Sequence, residues 1–259
     1  MSQNGFDQKK KSILSGINSE GPDLSPKGDI DSLCIPIIEL INSHKDMVTT
    51  SSCSGRVSVF VEGRKAGSKP GGKGEGGRWL FVSHDKELVR GWRAAHDLDW
   101  DAARAGDGDS NGRFMLYKFE PFILHVKCRD FAAAARLLRV AMACGFRESG
   151  IGSNNLVGIR ISIKLDVPIG RLDESTDRLR MFVSPEYVDL LDELAVGKFM
   201  ENERKMQELY EAIDEEIIRG LPVPVTSKDD DKARRRERKR REGLERQRQL
   251  QEAAREDIL

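Results

Sequence analysis

The stretch Asp46 to Val61, DMVTTSSCSGRVSVFV, governs how the rest of the chain is read. Val and Thr crowd its two ends, and their stiff, branched side chains suit a pleated strand. Between them lie five small residues, Ser51, Ser52, Cys53, Ser54 and Gly55. The pattern predicts two strands, 47–50 and 56–61, joined by a turn over 51–55.

Upstream, Ile30, Leu33, Cys34, Ile37 and Ile41 recur at spacings of three and four, one face of a helix. Ser25 and Pro26 offer a cap and a first helical position, and Pro36 inside the pattern kinks the helix or moves its start downstream. Downstream, residues 63–77 are rich in Gly and Lys and read as a loop. A short strand over 79–83 ends at His84, helical character follows from Asp85 to about Ala105, and a Gly/Asp loop comes next. Residues 114–127 read as two strand segments broken at Glu120-Pro121. Asp130 caps an Ala-rich helix that ends at Cys144 and Gly145. Residues 155–165 alternate like a strand that Val167-Pro168 ends, and 181–183 form another. Ser184-Pro185-Glu186 opens a long helix reaching Arg219, closed by Gly220 and Pro222.

The expected fold class is therefore α/β: a single domain with a mixed β-sheet flanked by helices. No strand leads into a G-x-G-x-x-G turn, so a Rossmann methyltransferase fold is not evident. The expected organisation is a polar lead-in over 1–23, one domain over 24–224 with a Gly-rich insertion at 63–77, and a charged, helical or disordered tail over 225–259.

At 259 residues and 38% apolar content, the chain can bury one core. Lys plus Arg and Asp plus Glu both number 43, but the balance hides an asymmetry. Between Lys232 and Arg248, ten Lys or Arg face three Glu, so a tail of charge +7 offsets a body of −7. A nucleic acid bound by the body would meet a local patch. The four cysteines, Cys34, Cys53, Cys128 and Cys144, form no C-x-x-C pair and have no His at zinc-finger spacing. Neither a disulfide framework nor a structural zinc is expected, and no metal is implied. No apolar run reaches membrane-spanning length. The expected compartment is the cytoplasm, with the nucleus as the alternative.

Several motifs carry chemistry. Gly67 to Gly74, GSKPGGKG, nearly spells a phosphate loop, but Gly74 stands where Ser or Thr must hold magnesium, so a solvated loop is the better reading. The residues from Ser51 to Gly55 support two readings. Their N–H groups can form an anion nest beside the bidentate Arg56, or their hydroxyls can simply bond a hairpin turn. Cys53 reads as a small buried thiol sooner than a nucleophile. His84 stands at a strand end, where site residues gather, and His125 sits in an apolar strand; each can be catalytic or structural. Around Glu120-Pro121, a kink can aim Glu120 at a ligand while Phe119 or Phe122 stacks on a base beside Lys118. The plainer reading is an ion pair over a packed edge. After the Ala-rich helix, Arg147 and Ser149 can contact phosphate. The polybasic tail can add affinity for an RNA backbone.

Taken together, LSPKG (24–28), DMVTTSSCSGR (46–56), GRWLFVSH (77–84), KFEPFILHV (118–126) and GFRESGI (145–151) resemble the third tRNA wybutosine-synthesising protein family. They occur in that family's order, and the resemblance covers roughly residues 7–219. It implies transfer of a methyl group from S-adenosylmethionine to N4 of a tricyclic guanine derivative, 7-aminocarboxypropyl-4-demethylwyosine, at position 37 of phenylalanine tRNA. Phenylalanine tRNA is then the expected partner, with other enzymes of the pathway alongside.

Such a reaction needs alignment of nitrogen, methyl carbon and sulfur, and a base for the departing proton. His84 or His125 is expected to be that base, oriented by Asp46 or Glu120, unless the substrate's own acidity suffices. Ser51, Ser52, Cys53, Ser54, Gly55 and Arg56 are expected to hold the donor. Lys118, Phe119, Arg147, Ser149 and Arg160 are expected to hold the substrate. The reading from another class is a tRNA-binding module without catalysis.

Overall fold

A computed structural model describes residues 3–17, 29–64, 76–100 and 113–220. The chain runs through helix α1 (Gln3–Ile17), a 3-10 turn (Ser32–Cys34), α2 (Ile35–Ser43) and strands β1 (Met47–Val61) and β2 (Arg78–Ser83). A 3-10 helix (Lys86–Ala95), β3 (Leu98–Asp99), β4 (Arg113–Cys128), α3 (Phe131–Ala143), β5 (Gly150–Ile151) and β6 (Leu156–Arg160) follow. Strands β7 (Leu165–Asp173) and β8 (Arg178–Met181) lead into α4 (Pro185–Ile213), which ends in a π turn over Asp214–Ile218.

Among the described residues, eight strands make one mixed sheet in the order β2-β1-β4-β7-β8-β3, with β6 on β4 and β5 on β6. All pairs are antiparallel except β3 with β8. β4 is the spine. One of its edges pairs with β1 along nearly its whole length, and the other is shared between β7 (residues 113–119) and β6 (residues 123–127). The sheet curls until β2 approaches β8. Arg78 pairs with Asp177 at 3.5 Å, His96 Nε2 lies 2.8 Å from the Leu80 carbonyl, and a cavity of about 380 Å³ lies in the gap.

The core lies between one sheet face and the helices. Val57, Val59, Val61, Tyr117, Phe119, Phe122, Leu124 and Val126 pack there against Ile37 and Ile41 of α2, Leu137 of α3 and Phe199 of α4. The 3-10 helix joins through Trp92, which with Tyr117 donates to the buried Asp192 of α4. α1 is tied down at the sheet's end. Lys10 Nζ donates to three carbonyls, those of Asn42, His44 and Met47, and Arg129 covers the Phe6 ring and pairs with Asp7.

Three sequence expectations change. First, residues 51–55 are no turn: β1 is one strand of 15 residues, because β4 supplies a partner along its whole length. Tertiary pairing here overrides local turn preference. Second, β4 is likewise unbroken across Glu120-Pro121. What the small residues and the proline do is switch the pleat. Buried positions on β4 run 115, 117 and 119, then skip to 122, 124, 126 and 128, and on β1 the alternation breaks where Ser54 and its neighbour Gly55 are both buried. Gly55 faces Pro121 at this switch, with a left-handed φ of 105°. Third, Pro168 does not end its strand; it sits inside β7 where the register with β4 shifts.

The strand expected over 155–165 ends at Arg160, β7 was not expected, and the strand expected at 181–183 lies at Arg178–Met181, while the helix starts follow the sequence. Pro36 lies in the first turn of α2, so the helix starts downstream of the 3-10 turn. Asp130 caps α3 through the Ala133 N–H, and Ser184 caps α4 through Tyr187. Between His84 and Trp100, the expected helical stretch is a 3-10 helix and a short strand. Ser25, Pro26, the near-phosphate loop at 67–74, the Gly/Asp loop and the tail over 225–259 lie outside the described residues, and the compact unit runs to Gly220. Among the described residues no helix is long and apolar enough to cross a membrane.

Candidate active site on the bare face of the sheet

Among the described residues, the helices pack on the opposite face of the sheet, so its second face is read directly from cross-strand pairs. Ser51 of β1 faces His125 of β4, which faces Gly158 of β6. Cys53 faces Ile123, which faces Arg160. Arg56 faces Glu120, and Ser58 faces Lys118, which faces Asp166 of β7. Directly opposed residues share a face, so these side chains rise from one surface.

Beyond the end of β2, the outer edge of β1 has no strand partner among the described residues. Asp31 closes that edge. Its Oδ2 accepts from the Ser54 N–H at 2.8 Å and the Ser54 hydroxyl at 3.1 Å. Asp31 holds the N-cap position of the 3-10 turn but makes no side-chain capping bond; the carboxylate is turned to the strand instead. His84, one residue past β2, completes the closure. Its Nδ1 lies 3.0 Å from the Gly55 carbonyl and 3.3 Å from Asp31 Oδ2. A carbonyl can only accept, so Nδ1 carries a proton, and in the neutral ring Nε2 is then the acceptor. A carboxylate behind Nδ1–H raises the basicity of Nε2 and fixes the ring.

Cys53 Sγ lies 4.0 Å from His84 Nδ1. Burial pushes its thiol pKa up, which disfavours a thiolate nucleophile. Asp31, Cys53 and His84 each bring one ligand atom within 4.8 Å of the others. An Nδ1 ligand would have to give up the proton it shares with the Gly55 carbonyl; as they stand, the three residues form a hydrogen-bonded trio.

His125 stands on the same face beside Ser51, whose hydroxyl lies 2.8 Å from its Nδ1. Burial, and then the charge of Arg160, holds the His125 pKa below the usual imidazole value, so the ring is neutral at pH 7. The ring leans over Gly158, where a Cβ would stand 3.4 Å from His125 Cδ2. Ser51 and Cys53, alternate residues of one strand, lie about 7 Å apart. The two imidazoles thus flank a shallow floor of small side chains.

The remaining expected residues divide. Arg56 and Glu120 meet each other at 2.7 Å, and Lys118 meets Asp166 at 2.8 Å, all on this face. Ser149 accepts from the Arg160 N–H at 3.0 Å, which brings those two together at the rim, and Arg147 is exposed on the same loop. Asp46 is bound to Arg129 at 2.7 Å, and Asp31 takes the place beside His84 that Asp46 or Glu120 was expected to hold. Phe119 does not face a base: it is wholly buried, edge-on to Phe199 at 4.9 Å, and Phe122 is buried against Phe146. An anion nest over 51–55 does not form, because an extended strand aims successive N–H groups to opposite sides and Ser54 N–H is taken by Asp31. Two polar residues escaped the sequence reading: Asp31, placed like a helix cap, and Asn202, whose only signal is a poor helix former in the middle of α4.

The chain matches the model of the Methyltransferase TYW3 family over residues 8–215. It is 57% identical to tRNA wybutosine-synthesizing protein 3 of Saccharomyces cerevisiae, with 96% of each chain covered. It is 44% identical to the protein of the same name from Schizosaccharomyces pombe, over 83% of this chain and 90% of that one. Among solved structures, the PH1069 protein of Pyrococcus horikoshii superposes with a TM-score of 0.60 at 26% identity, over 82% of this chain and 97% of that one. A match that spans β1 through α4 and takes in Asp31, Cys53, His84 and His125 places this chain in the Methyltransferase TYW3 family.

Proposed function

We propose that this protein transfers the methyl group of S-adenosylmethionine to N4 of 7-aminocarboxypropyl-4-demethylwyosine at position 37 of phenylalanine tRNA, within wybutosine biosynthesis. The observation that carries this reading is membership of a methyltransferase family along almost the whole folded unit, with near full-length likeness to a yeast protein named for wybutosine synthesis.

The donor supplies a methyl group on a sulfonium, a carbon already activated for attack. The residues fit such a molecule. Arg160 is exposed one cross-strand step beyond Ile123 from Cys53, and Arg56 lies on the same face; either guanidinium suits an α-carboxylate. Ser51 and Cys53 keep the floor between the histidines low enough for close approach.

The protein's own part is alignment and proton removal. His84, held by Asp31 and the Gly55 carbonyl, presents Nε2 to take the proton that N4 loses. His125, neutral and braced by Ser51, orients the substrate or serves as a second acceptor. Arg56 can exchange Glu120 for a ligand at small cost, because half-exposed pairs are worth about 1 kcal/mol or less.

The test is incubation with labelled S-adenosylmethionine and phenylalanine tRNA from cells lacking the protein. Mass spectrometry of the nucleosides is expected to show one added methyl on the tricyclic base. Donor and tRNA both bound, with no methyl transferred, would overturn the reading.

A further inference from the structure

The bare sheet face extends past the histidines into an apolar band that the reaction does not use. Trp79 of β2 faces Phe60 of β1, which faces Leu116 of β4, which faces Pro168 of β7. One step further along β4, Phe114 faces Arg171 of β7 and meets Phe182 edge-on at 6.2 Å. Trp79, Phe114 and Phe182 are 42%, 48% and 42% exposed, high for rings of that size. The strip is continuous with the site, because Arg56 spans both.

Its composition identifies a partner. Each group of rings carries its own cation. Arg56 lies 5.7 Å from the centroid of Trp79, Lys118 lies 5.6 Å from Phe60, and Arg171 lies 5.9 Å from Phe182. A surface for an apolar protein partner needs no cation at each ring. A single nucleic-acid strand needs both: an aromatic plane for each base and a cation beside it for each phosphate. Trp79 and Phe114 stand two strand spacings apart, about 10 Å across the sheet, which suits two or three stacked nucleotides.

We propose that this band is a stacking platform for single-stranded RNA, on which unpaired nucleotides flanking the target base lie with their bases against Trp79 and the Phe114–Phe182 pair. This rests on the tRNA reading above only for which RNA is bound. An anticodon loop is the natural source, since its bases are unpaired and a duplex would hide them. Arg56, Lys118 and Arg171 take the phosphates, leaving Glu120 and Asp166 to water.

The test uses the full chain and a fluorescent, unmodified anticodon stem-loop RNA, read by anisotropy, so it does not depend on methylation. Phe114→Ala and Phe182→Ala are each expected to weaken RNA binding about tenfold, and the double variant more. Phe182→Trp is expected to retain affinity, while S-adenosylmethionine binding and thermal melting stay at wild-type values, which separates lost stacking from lost folding. Affinity within twofold of wild type in the double variant overturns the platform and leaves the band to a protein partner. Wild-type protein that fails to bind the stem-loop overturns it as well. RNA binding lost in the variants, with no methylation of phenylalanine tRNA by the wild type, keeps the platform and sinks the proposed reaction instead.

Discussion

The side-chain amide of Asn202 grips both strands at the pleat switch, and its nitrogen lies 3.1 Å from where a Cβ on Gly55 would stand. Its oxygen accepts from the Phe122 N–H at 2.8 Å, and its nitrogen donates to the Ser54 carbonyl at 2.8 Å. These are backbone groups that the ladder cannot satisfy, because Pro121 has no N–H and the pleat inverts there. Asn202→Ala leaves both unpaired in a buried place. The expected loss is about 2–4 kcal/mol of unfolding free energy, since each orphaned group costs about 1–3 kcal/mol. Chemical denaturation measures it, and a loss below about 0.5 kcal/mol would show that the amide is dispensable.

Gly55→Ala tests the same switch from the strand side. A residue with a Cβ resists a φ of 105°, and the new carbon would press on the Asn202 amide, the Glu120 carbonyl and the Phe122 nitrogen. The expected cost is about 1–3 kcal/mol, with methyl transfer impaired as well, because the carbonyl that holds His84 belongs to Gly55. Wild-type melting together with wild-type activity would contradict this.

Much of the fold was legible, and the failures share a cause. The small residues at 51–55 and Glu120-Pro121 were both read as chain breaks. Both signals mark a real irregularity, but each strand supports the other through it, and a local signal carries no information about a partner about 65 residues away. His84 was visible because it ends a strand, and Ser51 because it sits in an unusual run. Asp31 was not visible, because an acid before a helix reads as a cap, and its true partner, Ser54, is distant in sequence. Phe119 was misplaced because the pleat switch decides which of two neighbouring aromatic positions faces inward, and only the pairing reveals it.

Asp192 shows how a buried acid should tune stability. It accepts from Tyr117 and Trp92 through one oxygen, while its second oxygen is buried and has no partner among the described residues. Burial raises its pKa, against the opposing pull of the Tyr117 hydrogen bond. Folded protein therefore holds this proton at pH values where unfolded chain has released it, so stability falls as pH rises through the window above the ordinary carboxylate range. Asp192→Asn keeps an oxygen for both donors and removes the titration. The variant should gain on wild type as pH rises from 4 to 8 in denaturant titrations; a parallel pair of curves would remove the effect from Asp192.

For His125 the shift runs the other way. Burial and Arg160 favour the neutral ring, so its contribution to stability is full above the ordinary imidazole pKa and is lost as pH falls through the lowered value. Arg160→Gln should move the titration of the His125 ring upward towards the ordinary value in an NMR pH series. A fall, or no movement, would show that Arg160 does not set the ring's charge.

The Asp31–His84 pair makes the sharpest demand on mechanism. If Nε2 of His84 takes the N4 proton, His84→Gln should lower the single-turnover methylation rate about 10²–10⁴-fold while donor and tRNA affinities hold. Asp31→Asn keeps an oxygen for Ser54 and the ring but removes the charge behind Nδ1–H, so it should cost less, about tenfold in rate, and lower the pKa of the acid limb of the pH–rate profile. That displacement is the decisive readout. A purely structural Asp31 would change stability and leave the limb in place, whereas a carboxylate that sets His84 basicity must move it to lower pH. His84→Gln with an undiminished rate would pass the proton to His125 or to the substrate's own acidity, and the parallel His125→Gln variant separates those two.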